Sequence, residues 1–269
     1  MSTSELTQTP ADRRKVAVVG GATSGLGAAS ARALAEAGHD LLLWSRDQAR
    51  LDATAADLAG TGVTVRTVAA DAADPGAAAS VAEAAVAAYG RVDVLVLNAG
   101  GPPVARADEV TAEGLRAAFQ LLAVTPVDLA NRLLPAMRER GWGRVVSIMS
   151  SGVREPIDTL AYSNAGRAAL AAWMKTLSRT VAGDGVTVNG VLPGRIATPR
   201  VASLDEAAAK RTGKPVEDVS RDSAASIPAG RYGRPEELAA VVAFLASDAA
   251  SYVTGTTIAC DGGSLRSLP

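Results

Sequence analysis

Seven short runs rich in Val, Leu and Ile recur along the chain, at 16–19, 41–44, 63–68, 92–97, 144–149, 187–192 and 257–259. Their apolar residues are continuous rather than alternating, the pattern of strands buried on both faces in a parallel sheet covered by helices. Between them lie helical patterns. Leu26, Ala29, Ser30, Ala33, Leu34 and Ala37 repeat at three- and four-residue spacing and turn one small apolar stripe toward a sheet. Alternating β and α elements predict a Rossmann-type, doubly wound α/β fold of about seven strands. A length of 269 residues, 48% of them hydrophobic, is enough for one well-buried core, so a single domain is expected.

Two long helices are expected over 124–140 and 160–182, with Gly141 and Gly183 as stop signals. From 195 to 228 the pattern weakens into small, polar and charged residues, which reads as a lid-like excursion from the 15–269 domain. Residues 1–14 are polar and read as a flexible tail ahead of the first strand.

Charge is nearly balanced, with 27 Lys+Arg against 28 Asp+Glu and no long block of either sign. That leaves no electrostatic footprint for nucleic acid or an anionic membrane and favours a small-molecule partner. The apolar runs are far short of a membrane span, and the expected compartment is the cytoplasm. One cysteine, Cys260, and one histidine, His39, speak against a disulfide framework or a zinc site, and no metal is expected. They also disfavour a Ser-His-Asp triad, because His39 lies in a turn before a strand, where a surface or packing role is expected.

The first run leads straight into Gly20-Gly21-Ala22-Thr23-Ser24-Gly25-Leu26-Gly27, and a helix begins inside that loop. Gly21 allows a tight turn, Gly25 lets the backbone approach a pyrophosphate, Gly27 permits close helix–strand packing, and the helix N-terminus favours negative charge. A glycine-rich turn between the first buried strand and an amphipathic helix reads as a dinucleotide site.

These residues resemble the short-chain dehydrogenase/reductase family, and especially members similar to 3-oxoacyl-acyl-carrier-protein reductases. Nearly the whole chain takes part. The family's TGxxxGxG loop is matched at 20–27, with Gly20 in the threonine slot, and its NNAG by Leu97-Asn98-Ala99-Gly100. Val188 to Gly194 matches VNxVxPG, and Arg231 to Glu237, Gly255 and Asp261-Gly262-Gly263 complete the pattern. The resemblance implies cofactor contacts at Gly21, Ser24, Gly25, Leu26, Gly27, Asp71, Asn98, Ala99, Gly100, Pro193, Gly194, Ile196 and Thr198. It also implies a homotetramer with the two long helices and the C-terminal segment at the interfaces.

An acidic residue at the end of the second strand would bind the ribose hydroxyls of NAD and repel a 2′-phosphate. The chain instead reads Trp44-Ser45-Arg46, and Arg46 suits a phosphate, so NADP(H) is expected in preference to NAD(H). The alternative is a solvated Arg46 whose neighbour Asp47 caps the next helix.

The family's catalytic tyrosine, lysine and asparagine are not matched. Ser150 takes the serine slot, with Ser151 a close competitor. Matching Arg167-Ala168-Ala169-Leu170 to the family's KAAL puts Ser163 in the tyrosine slot and Arg167 in the lysine slot, while Leu122 falls where the asparagine belongs. Slipping the register by one keeps Tyr162 as the acid but sets Gly166 opposite the lysine slot. The four lysines, Lys15, Lys175, Lys210 and Lys214, all lie elsewhere. Arg167 suits ribose binding or oxyanion stabilisation but not a proton shuttle, because it effectively never deprotonates.

The leading expectation is an NADP(H)-dependent oxidoreductase acting on a carbonyl or alcohol, with Ser150 orienting the substrate oxygen and Arg167 or Tyr162 replacing the lost acid function, since Ser163 is a poor general acid at neutral pH. Two alternatives stand beside it: a non-redox cyclase, isomerase or dehydratase on the same scaffold, and a catalytically silent dinucleotide-binding protein.

Overall fold

The computed structural model describes residues 14–267; the expected tail therefore lies, apart from Arg14, outside the described residues. Strands β1 (Val16–Gly20), β2 (Asp40–Ser45), β3 (Val65–Ala69), β4 (Val94–Leu97), β5 (Gly143–Ile148), β6 (Val186–Pro193) and β7 (Thr257–Cys260) form one sheet in the order β3-β2-β1-β4-β5-β6-β7. Every neighbouring pair is parallel. All residues of β1, β4 and β5 are buried, whereas edge strand β3 has none fully buried, and this accounts for the continuous apolar runs of the central strands.

Successive residues of each strand serve opposite faces. Ala17, Val19, Leu41, Leu43, Val94 and Val96 pack with helices α1 (Gly25–Glu36), α2 (Gln48–Asp57) and α9 (Pro235–Leu245). Val18, Leu42, Leu95, Leu97 and Val145 pack on the other side with α3 (Ala77–Tyr89), α5 (Thr125–Glu139) and α6 (Ala161–Val181). The two expected long helices are α5 and α6. Ahead of α5, helix α4 (Ala112–Phe119) continues through a π-helical turn, Gln120–Val124, which sets Leu122 against α6.

The 195–228 excursion contains two helices, α7 (Pro199–Thr212) and α8 (Val216–Ala225). Its start is a standard helix signal: Thr198 Oγ1 accepts from the Val201 N–H at 3.3 Å, Pro199 follows at the first helical position, and Gly213 ends α7 with φ +70°. A parallel bridge between Ile196 and Gly233 pins its two ends together. Successive strands are added outward in one direction from β1 to β3 and in the other from β4 to β7, so the strand order switches between β1 and β4, where a crevice opens beyond the carboxyl ends of the strands.

Candidate active site

The loop after β1 is shaped by glycine twice over. Gly21 and Gly25 adopt φ +58° and +53°, which side chains rarely tolerate. A Cβ on Gly27 would lie 2.2 Å from the Gly21 carbonyl oxygen and one on Gly20 would lie 2.4 Å from that of Asn98. Gly27 therefore closes the loop on itself, a tighter constraint than the helix–strand contact expected of it. Asn98, at the end of β4, ties the two loops together by donating from Nδ2 to the Gly20 carbonyl at 3.0 Å. Ser24 makes no side-chain capping bond at the start of α1, which leaves the first-turn N–H groups without a side-chain acceptor, and Gly25 and Leu26 line the crevice.

That crevice is a cleft of about 1100 Å³, and every site residue expected from the sequence lines it except Gly27 and Tyr162. At one end are Trp44, Ser45, Arg46 and Arg50; at the other are Ser150, Ser163, Arg167 and the inner face of α7. Asp47 caps α2 by accepting from the Arg50 N–H at 3.1 Å, while Arg46 lines the cleft beside it. His39 is buried away from the cleft, with Nδ1 3.2 Å from the Leu34 carbonyl.

The faces of α6 separate the two registers left open by the sequence. Tyr162 and Gly166, one turn apart, pack toward α4 and the π-helical turn. The Thr111 N–H donates to Tyr162 Oη at 3.0 Å, and Gly114 leaves the space that the phenol occupies. Hydrogen bonds from the Thr111 side chain and backbone lower the Tyr162 pKa from its ordinary value. A Cβ on Gly166 would lie 3.0 Å from Leu122 Cβ, so α6 approaches too closely there for a lysine-like side chain. Ser163 and Arg167, rotated about 100° from that pair, face the cleft instead. Tyr162, the acid in the slipped register, is therefore turned toward Thr111 rather than lining the cleft.

Arg167 is 9% exposed, and its Nη1 donates to the Ile148 carbonyl at the end of β5 at 2.7 Å. Burial, with repulsion from Arg200 second, brings its pKa down to about 10, so it stays cationic at neutral pH. Its Nε has no hydrogen-bond partner among the described residues, and neither has Nε1 of buried Trp44. Ser150 begins a short turn by accepting from the Gly152 N–H at 3.1 Å, which fixes its hydroxyl at the cleft wall; Ser151 lines the cleft as well.

Several lining residues escaped the sequence reading: Trp44, Arg50, Arg200 and Arg211. The signal for the last two was present in the Thr198-Pro199 helix start, from which residues 200, 204, 207, 208 and 211 fall on one face.

A family model described as enoyl-(acyl carrier protein) reductase matches residues 21–264. The chain belongs to the short-chain dehydrogenase/reductase family. This short-chain oxidoreductase is 37% identical over 254 residues to cis-4-hydroxycyclohexanecarboxylate dehydrogenase of Sinomonas cyclohexanicum, covering 93% of this chain and 96% of that one. It is 32% identical over 257 residues to the NADPH-dependent reductase BacG of Bacillus subtilis, covering 95% and 99% respectively. The L-sorbose reductase of Gluconobacter frateurii, solved with NADPH and L-sorbose, superposes with a TM-score of 0.90 at 34% identity, covering 95% of this chain and 98% of that one.

Proposed function

We propose that this enzyme uses NADP(H), in preference to NAD(H), to interconvert a carbonyl and an alcohol in a site where Ser150, Ser163 and Arg167 stand in for the family's serine, tyrosine and lysine. The observation that carries the reading is the convergence of those three side chains with the glycine loop on one cleft. The residues fit a dinucleotide: strained glycines cradle a phosphate, open N–H groups point at it, and Arg46 and Arg50 offer two guanidiniums where a 2′-phosphate would lie.

When bound, a nicotinamide dinucleotide supplies or accepts hydride. In the reducing direction, the Ser150 hydroxyl donates a hydrogen bond to the substrate oxygen and fixes the carbonyl. Ser163 Oγ–H passes its proton to the developing alkoxide and takes one back from water, since a serine hydroxyl does not ionise near neutrality. Arg167 holds its positive charge beside that oxygen and lowers the energy of the alkoxide without titrating. Asp71 and Thr198 serve the adenine and the phosphates. The α7–α8 excursion acts as the cover of the cleft, and we extend the proposal to a cytoplasmic homotetramer.

One observation favours a second, non-redox reading on the same scaffold: Tyr162 is turned out of the cleft, which leaves cationic and hydroxyl groups suited to an enolate-like state. Fluorescence titration with NADPH and NADH, followed by absorbance on adding a carbonyl panel, separates the two. The expected result is tighter binding of NADPH and loss of its absorbance with a carbonyl; product formed without cofactor oxidation would overturn the redox reading.

A further inference from the structure

Helix α7 turns one face to the cleft. Arg200, Leu204, Ala207, Ala208 and Arg211 all line it, so an apolar strip has a guanidinium at either end, about 16 Å apart for eleven residues along the axis. Arg200 reaches over the cleft to the loop after β4, where its Nη2 donates to the Pro102 carbonyl at 2.9 Å. Its guanidinium lies against Gly101, at which any Cβ would approach it to 2.9 Å. The exposed side chain is thereby seated by a glycine and one carbonyl, and its other N–H groups, open to solvent, bond no described residue.

Arg167, which also lines the cleft, is by contrast nine-tenths buried, and its Nε has no partner among the described residues. None of the ion pairs among the described residues includes Arg167, Arg200 or Arg211. Burial first, and repulsion from Arg200 second, lower the Arg167 pKa, and desolvation lowers that of Arg200. The cleft lining also carries the Glu109 carboxylate, which accepts from the Arg106 N–H at 2.8 Å, but neither it nor any other carboxylate pairs with Arg167, Arg200 or Arg211 among the described residues. A buried guanidinium beside a second cation is costly unless an anion joins them, and that condition holds for Arg167. The dinucleotide phosphates already have the glycine loop and, at the far end, Arg46 and Arg50.

We propose that the substrate is an organic anion, a carbonyl or alcohol compound whose carboxylate is held by Arg200. Its carbon chain lies along Leu204, Ala207 and Ala208, its reacting oxygen lies at Ser150, and Arg211 at the rim draws the anion in. This rests on the reading of the cleft as a carbonyl/alcohol site.

The test compares oxo acids, with the carboxylate at varied distance from the ketone, against their primary amides in the NADPH oxidation assay. Calorimetric titration of 3-hydroxybutyrate and its amide into the NADPH-containing protein reads the same preference without turnover. The expected kcat/KM for the best acid exceeds that for its amide by about 100-fold, a preference that Arg200→Gln abolishes and Arg200→Lys partly keeps. Arg211→Gln reduces the salt dependence of the acid's KM. Acid-selective binding without oxidation would keep the anion site and remove the redox reading. Equal use and equal binding of acids and amides would overturn the anion site and leave the redox reading standing. A variant Arg200→Gln that weakens NADPH binding but keeps the acid preference would assign the guanidinium to the dinucleotide and overturn the proposal.

Discussion

At the scale of single residues, one step along α6 separates a side chain packed against α4 from one that lines the cleft. Tyr162 is committed to the Thr111 N–H and to the space over Gly114, whereas Ser163 lines the cleft with Arg167 one turn on. We therefore expect Tyr162→Phe to lower the melting temperature, because the Thr111 N–H loses its acceptor, while steady-state turnover is retained. Ser163→Ala should leave NADPH affinity intact and reduce kcat by about 100-fold, the scale of a lost proton-transfer group. Turnover lost in Tyr162→Phe but kept in Ser163→Ala would reverse the assignment. The glycine loop was legible from the sequence because its constraint is local: φ values near +55° at Gly21 and Gly25 exclude other residues whatever surrounds them. The role of Gly166 was not legible, because what demands glycine there is Leu122 on a different helix.

At the scale of elements, α7 and α8 form a cover whose attachment is polar. Asp205, 2% exposed on α7, pairs with Arg195 after β6 and accepts from Ser220 Oγ of α8 at 3.1 Å and from Tyr232 Oη at 2.9 Å. One carboxylate thus joins both helices of the excursion to both of its ends. Asp205→Asn retains the shape but removes the charge that three partners share, and should cost about 1–3 kcal/mol. We expect hydrogen–deuterium exchange to quicken across 199–225 while the central strands stay protected, and the KM for substrate to rise. Unchanged exchange in that segment would mean that packing, not Asp205, holds the cover. The segment looked irregular in the sequence because α7 and α8 bury few apolar residues; α8 has none that is fully buried. Apolar periodicity was therefore weak even where the capping residues Thr198, Pro199 and Gly213 mark a helix plainly.

At the scale of the whole molecule, the parallel sheet is covered on both faces, yet large apolar side chains remain outside. Phe244 on α9 is 43% exposed and Val124, at the entry to α5, is 50% exposed. Both lie on segments assigned to subunit contacts by the proposed homotetramer. Light scattering on the purified protein should give the mass of four chains, and Phe244→Asp should shift it to a smaller species. A monomer at micromolar concentration would remove the assembly from the proposal. What the amino-acid order specifies alone is whatever depends on neighbours along the chain. Strand runs, helix spans, the glycine loop and the family motifs all follow from periodicity, caps and short spacings. What the tertiary structure alone settles is whatever depends on which elements meet. The close approach of α6 to the π-helical turn sends Tyr162 away from the cleft and Ser163 into it, and the seating of Arg200 on Gly101 joins residues about a hundred positions apart. Side chains adjacent in sequence point about 100° apart on a helix, so only the packing partners of α6 reveal which one lines the cleft.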